Sequence, residues 1–198
     1  MSDFLIFLQL GFAHITDPTG YDHILFVVAL CAVYSVRQWR QVLVLVTAFT
    51  IGHSITLALA TWRLLNARTD VVELLIPVTI LITAVTNFFW QPTTPAWPSI
   101  TNHRYALALG FGLIHGLGFS TYLRSLLGRE AAILTPLLAF NIGLELGQLL
   151  IVSAVLAVSF VAVDWGRVSR RDWIVAVSVL VSFMAISLIL TSDLIAGK

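Results

Sequence analysis

Four histidines lie inside or beside apolar stretches: His14, His23, His53 and His115. A carboxylate, Glu145, sits in the run Phe140-Asn-Ile-Gly-Leu-Glu-Leu-Gly-Gln148, and a second, Asp22, directly precedes His23. An ionisable group at the centre of a lipid-embedded helix costs about 2.5–3.5 kcal/mol on insertion scales. Several such groups on separate greasy segments therefore call for a use. Imidazole with carboxylate suits a borderline divalent transition metal. Their convergence on one cation is the first expectation.

Each candidate has a local context. Asp22 beside His23 at a helix start is a ligand pair, or a carboxylate fixing a ring, or a plain helix cap. His14 lies near an interface, where it is a ligand or a snorkelling side chain. Asp17 before Pro18 has turn chemistry and lies on the same approach. His53 is midway along an apolar run, with Thr50 and Ser54 on its face. Asn141, Glu145 and Gln148 recur at i, i+4, i+7 and line one helix face. Asn87 is polar near the end of another apolar run. These neighbours form the candidate pathway set. Gly112 with Gly116, and Gly143 with Gly147, form two GxxxG packing faces. Packing those faces together would carry Glu145 to His115.

The elements that hold these residues are membrane helices. The chain has 198 residues, of which 59% are hydrophobic and 11% charged. A soluble domain carries about 25% charged residues, so this is an all-α integral membrane protein with one transmembrane domain over residues 1–198. A span needs about 20 residues. Gln41–Trp62, Val71–Trp90, Arg104–Leu123, Pro136–Val163 and Trp173–Leu190 qualify, and Asp22–Val36 does if extended. Phe4–His14 is too short and reads as an interfacial or re-entrant helix. The expectation is six spans plus that N-terminal piece. Pro136–Val163 exceeds the need and should tilt or project. Thr135-Pro136 reads as a helix cap followed by proline at the first helical position. Trp39, Trp62, Trp90, Trp97, Trp165 and Trp173 mark span ends. The run Gln91–Pro98, with three prolines and two threonines, is a loop.

Net charge is +1, which gives no electrostatic case for nucleic acid. The lone Cys31 excludes a disulfide within the chain. No positive n-region opens the chain, so the N-terminus reads as mature protein. The Arg167–Arg171 cluster is placed in the cytoplasm, with the Asp17–His23 loop and the C-terminus outward, as for a bacterial inner membrane. Partners are then the bilayer and the metal ion, with a homo-oligomer or another membrane subunit open.

Gly20-Tyr-Asp-His-Ile-Leu-Phe26, Thr47-Ala-Phe-Thr-Ile-Gly-His-Ser-Ile-Thr-Leu57, Phe111-Gly-Leu-Ile-His-Gly-Leu-Gly-Phe119 and the Phe140–Gln148 run occur in the order found in a known family. In these patches the chain resembles the HupE/UreJ family of small membrane proteins, described as nickel or cobalt permeases. The resemblance implies inward movement of a divalent metal and roles for Asp22, His23, His53, His115 and Glu145. It departs from the family's pattern in the longer interval between His14 and Asp22.

The residues themselves leave nickel, cobalt and zinc open, with iron also possible, and it is the resemblance that favours nickel or cobalt. The absence of a Met or Cys row disfavours Cu(I), and the imidazoles disfavour magnesium and calcium. No phosphate-binding loop is present. A divalent ion moving down ~100 mV gains about 4.6 kcal/mol, enough for roughly 10³-fold accumulation. Two other classes stay open: a zinc-dependent intramembrane hydrolase, though His-Glu-x-x-His is lacking, and an accessory membrane subunit.

Overall fold

The computed structural model describes residues 3–90, 103–127 and 133–196, and every regular element among them is helical. In chain order these are α1 (Asp3–Thr16), α2 (Asp22–Cys31), a 3₁₀ turn (Val36–Gln38), α3 (Trp39–Thr61), α4 (Thr69–Phe88), α5 (His103–Gly118), α6 (Ser120–Leu127), α7 (Leu134–Ser159), a π-helical extension (Phe160–Trp165), α8 (Arg170–Thr191) and α9 (Asp193–Ala196). The Gln91–Pro98 run, Trp97 included, lies outside the described residues.

Four helical stretches are long and apolar enough to cross a membrane: the 3₁₀ turn with α3, α4, α7 with its extension, and α8. The number becomes five if α5 and α6, which bend by 48° at Phe119, are taken as one span. The expected six is therefore not reached, for two physical reasons. The Arg104–Leu123 segment is broken where α5 ends at Gly118. The Asp22–Val36 segment is helical only over ten residues, or about 15 Å at 1.5 Å per residue, half of a ~30 Å hydrocarbon core.

Helix α2 survives as a half-helix because protein surrounds it. His23, Leu25, Phe26, Val27, Ala29, Leu30 and Cys31 are all buried, on every side of the helix, as expected of a helix apolar all round. Its last carbonyls lack helical partners, and side chains supply them. Asn87 Nδ2 donates to the Ala29 carbonyl at 2.8 Å, and Trp173 Nε1 to the Ala32 carbonyl at 3.2 Å. Buried Arg104 donates to Asn87 Oδ1 and lies over the Trp90 and Tyr34 rings. A cation at a helix C-terminus is favourable to the helix dipole. Asn87 thus ties the end of α2 to α4 and Arg104.

Two glycine-lined crossings organise the rest. At the α3–α5 crossing, a Cβ on Gly52 would strike the Leu109 carbonyl, one on Gly112 the Phe49 carbonyl, and one on Gly116 the His53 carbonyl. Residues 52 and 56 thus face 112 and 116, so the two helices run in the same direction. At the α1–α7 crossing, a Cβ on Gly11 would strike the Phe140 carbonyl, one on Gly143 the Leu8 carbonyl, and one on Gly147 the Ile15 side chain. The two GxxxG faces therefore do not pack on each other, correcting the expectation: each meets a different helix, because each finds a backbone it can approach.

Smaller differences have similarly local causes. α7 begins at Leu134, with Ile133 in the capping position and no side-chain cap. Thr135 is inside the helix, and Pro136 is tolerated because first-turn amides need no helical acceptor. The α7 stretch through Trp165 covers 32 residues, about 48 Å, so it exceeds the bilayer as expected. Trp39, Trp62 and Trp165 are exposed at helix ends, and Leu138, Leu146, Leu150, Phe183 and Leu190 present an apolar surface outward, as lipid contact requires.

Candidate metal centre

The half-helix puts one imidazole at its N-terminal end, and the α1, α3 and α5 helices bring three more to the same place. His14, His23 and His53 each offer a ring nitrogen, and these three atoms lie within 4.8 Å of one another. Ring centres are 4.6 Å apart for His14–His23, 6.1 Å for His14–His53 and 6.3 Å for His23–His53. His115 extends the group, with its ring centre 5.1 Å from that of His23. Two imidazoles sharing a tetrahedral ion at ~2.0–2.1 Å hold their ring centres roughly 5 Å apart. The observed spacings suit such a cation with modest adjustment.

The nitrogens are free to serve. His23 Nδ1 lies 3.0 Å from Asp22 Oδ1. A carboxylate accepts, so Nδ1 carries the proton and Nε2 keeps its lone pair. His23 Nε2 is buried without a hydrogen-bond partner, as are His14 Nε2, both nitrogens of His53 and His115 Nδ1. A buried polar atom left unpaired costs about 1–3 kcal/mol. Five at one place would together rival the whole stability of a domain, about 5–15 kcal/mol. Each neutral imidazole has one lone pair, so a cation taking one nitrogen from each ring it binds would remove part of that cost.

Asp22 therefore orients the His23 ring. It also accepts from the His23 backbone amide at 2.9 Å, so it satisfies one first-turn amide of α2 and fixes the ring at once. Carboxylate–imidazole–metal relays of this kind typically contribute 10–100-fold to affinity. Asp22→Asn is accordingly expected to weaken metal binding by about that factor while His23→Ala weakens it further. Competitive titration with a chromophoric chelator measures both.

On one side the imidazoles meet water. A cavity of about 230 Å³ is lined by His14, His23 and His115 together with Asp17, Asp22 and Glu73. Asp17 accepts from the Thr19 amide at 2.8 Å and from its hydroxyl at 2.7 Å. Those bonds hold its carboxyl below the usual carboxylate range, so the mouth stays negative in mild acid and concentrates cations. On the other side the rings meet hydrocarbon. The Phe26 and Phe49 rings each lie 5.2 Å from His115 and 4.8 Å from each other, and both are buried.

The polar strip of α7 lies beside this group, not in it. Glu145 accepts from the Thr47 hydroxyl at 2.9 Å, and Gln148 from the Thr50 hydroxyl at 2.7 Å. Asn141 donates to the Leu137 carbonyl at 2.9 Å, and Ser54 to the Thr50 carbonyl at 2.6 Å. Glu145 is thus placed at the α3–α7 contact and outside the three-imidazole group. Its expected approach to His115 depended on the two glycine faces meeting, which they do not.

A family model described as HupE / UreJ protein matches residues 1–192. The chain belongs to the HupE/UreJ family. No curated protein and no solved structure matches it. The family is associated with nickel and cobalt uptake. In this HupE/UreJ protein the interval after His14 includes the Asp17–Gly20 turn, and His14 stays beside His23.

Two contributors escaped the sequence reading. Thr79 meets His115 Nε2 at 3.1 Å, and Phe119 lies against His14, with ring centres 4.0 Å apart. Threonine in an apolar helix usually bonds its own backbone, so Thr79 sent no distinct signal. Phe119 reads as one more apolar residue until the α5–α6 break is known.

Proposed function

We propose that this HupE/UreJ protein is a permease for a divalent transition-metal ion, with nickel or cobalt favoured and zinc or iron as alternatives. One observation carries the reading: His14, His23 and His53, from three helices, present mutually close, buried nitrogens with nothing else to bind. The metal is the cargo. It enters by the Asp17–Asp22–Glu73 mouth, exchanges water for imidazole, and stops at the Phe26–Phe49 barrier until that barrier parts. A transport site must bind well enough to select and loosely enough to release, and neutral imidazoles without a carboxylate in direct contact suit release.

An inner-membrane setting with the mouth outward agrees with the charge pattern. Thr191 and Ser192, at the end of α8, share a cleft with Thr19, Gly20 and Asp22, so the C-terminal end and the Asp17–His23 loop lie on one side. The Arg167–Arg171 connection precedes α8, at its other end. The hydrolase reading is less well supported, since Asp22 is engaged by His23 and Glu145 by Thr47. The accessory-subunit reading requires a partner to co-purify.

Proteoliposomes holding the purified chain test the proposal directly. With an inside-negative potential imposed, Ni²⁺ or Co²⁺ should enter at a rate that falls at least tenfold on removing the potential. Wild-type vesicles no faster than protein-free ones would reject transport.

A further inference from the structure

We infer that Thr79 is a positioning residue that selects the tautomer of His115 and so determines which nitrogen that ring offers to a cation. The inference rests on the metal-site reading above and adds a residue to it. Thr79, in α4, is 2% exposed. Its Oγ1 lies 2.7 Å from the Ile76 carbonyl oxygen and 3.1 Å from His115 Nε2. A carbonyl cannot donate, so the short oxygen–oxygen contact needs the single hydroxyl hydrogen between those atoms. The hydroxyl oxygen is then an acceptor toward the ring, and His115 Nε2 must carry the proton. A neutral imidazole has one N–H, which leaves the lone pair on Nδ1.

That nitrogen is the one found buried without a partner. The ring cannot easily exchange roles, because Thr79 is itself held: Thr83 Oγ1 donates to the Thr79 carbonyl at 2.8 Å, and the hydroxyl is fixed on Ile76. Thr79 thus does for His115 what Asp22 does for His23. The acceptor is a neutral hydroxyl in one case and a carboxylate in the other. His115 lies next to His23, with ring centres 5.1 Å apart, so its lone pair is available to a cation on the His23 side of the group.

The test uses the full chain in detergent, with Co²⁺ as probe, because its d–d absorption reports ligand number. Thr79→Val removes the acceptor at nearly constant volume. It should weaken Co²⁺ binding about 10–100-fold and give the spectrum of His115→Ala. Thr79→Ser should restore both affinity and spectrum to wild type. Wild-type behaviour in Thr79→Val, or failure of Thr79→Ser to rescue, overturns the inference. Should the valine variant not fold, ¹⁵N-histidine labelling of the metal-free wild type decides, with His115 identified by signal loss in His115→Ala. A protonated Nε2 and a bare Nδ1 support the assignment, and the reverse pattern overturns it. If wild type binds no Co²⁺, the metal-site reading fails by itself, and the nitrogen pattern still tests the tautomer.

Discussion

His53→Ala is expected to abolish metal binding at micromolar concentrations and leave the protein folded. Loss of a residue that only orients a ligand costs 10–100-fold in affinity, and loss of the ligand itself should exceed about 100-fold. The fold should tolerate the change because neither His53 nitrogen bonds to anything. Truncation loses contacts with the Phe49 and Phe140 rings, whose centres lie 6.1 and 6.3 Å away. It also removes two unsatisfied polar atoms, each costing about 1–3 kcal/mol. These effects oppose one another, so the thermal midpoint in detergent should move by only a few degrees. Elemental analysis after dialysis against metal, with a melting curve on the same sample, gives both numbers. A variant that retains metal would remove His53 from the site. A variant that fails to fold would show that the ring is a packing element.

Gly112→Val is expected to prevent folding. The new Cβ would fall within bonding reach of the Phe49 carbonyl and 3.1 Å from the His53 amide nitrogen. Both are helix backbone, which cannot rotate aside as a side chain does. Overpacking a core by side chains alone costs about 1–3 kcal/mol, and here two helices must separate, so the loss should exceed that range. Gly110 is the control: a Cβ there meets nothing within 4 Å, and Gly110→Ala should gain up to about 1 kcal/mol from helix propensity. Yield of monodisperse protein by size exclusion, compared across the two variants, measures the contrast. Equal yields would show that the α3–α5 crossing is not tight.

How far the sequence was legible depends on the scale of the feature. The helical membrane class follows from composition alone, and His14, His23 and His53 were identifiable because an imidazole on an apolar segment has few idle explanations. Span number was less legible. Hydropathy does not distinguish a half-helix inside protein from a spanning helix, and α2 differs only in having Asn87 and Trp173 available to bond its last carbonyls. The break at Phe119 is equally silent, since Gly118 and Ser120 are ordinary residues in membrane helices. The glycine motifs announced close crossings but not their partners. For that reason Glu145, whose place depended on the partner, was assigned to the imidazoles and lies against Thr47 instead.

The glycine crossings also decide what can move. Helices α3 and α5 touch backbone to backbone, so His53 and His115 travel as one block. Helices α1 and α7 are locked in the same way, and His14 rides with them. A cation held by His14 and His53 therefore bridges two blocks like a rivet through two plates. In the proposed transport reading, seating the ion would hold the plates together alongside the Thr47–Glu145 and Thr50–Gln148 hydrogen bonds, and parting them would let it go. The metal gripped most tightly would then be carried most slowly, which turns such an ion from cargo into an inhibitor.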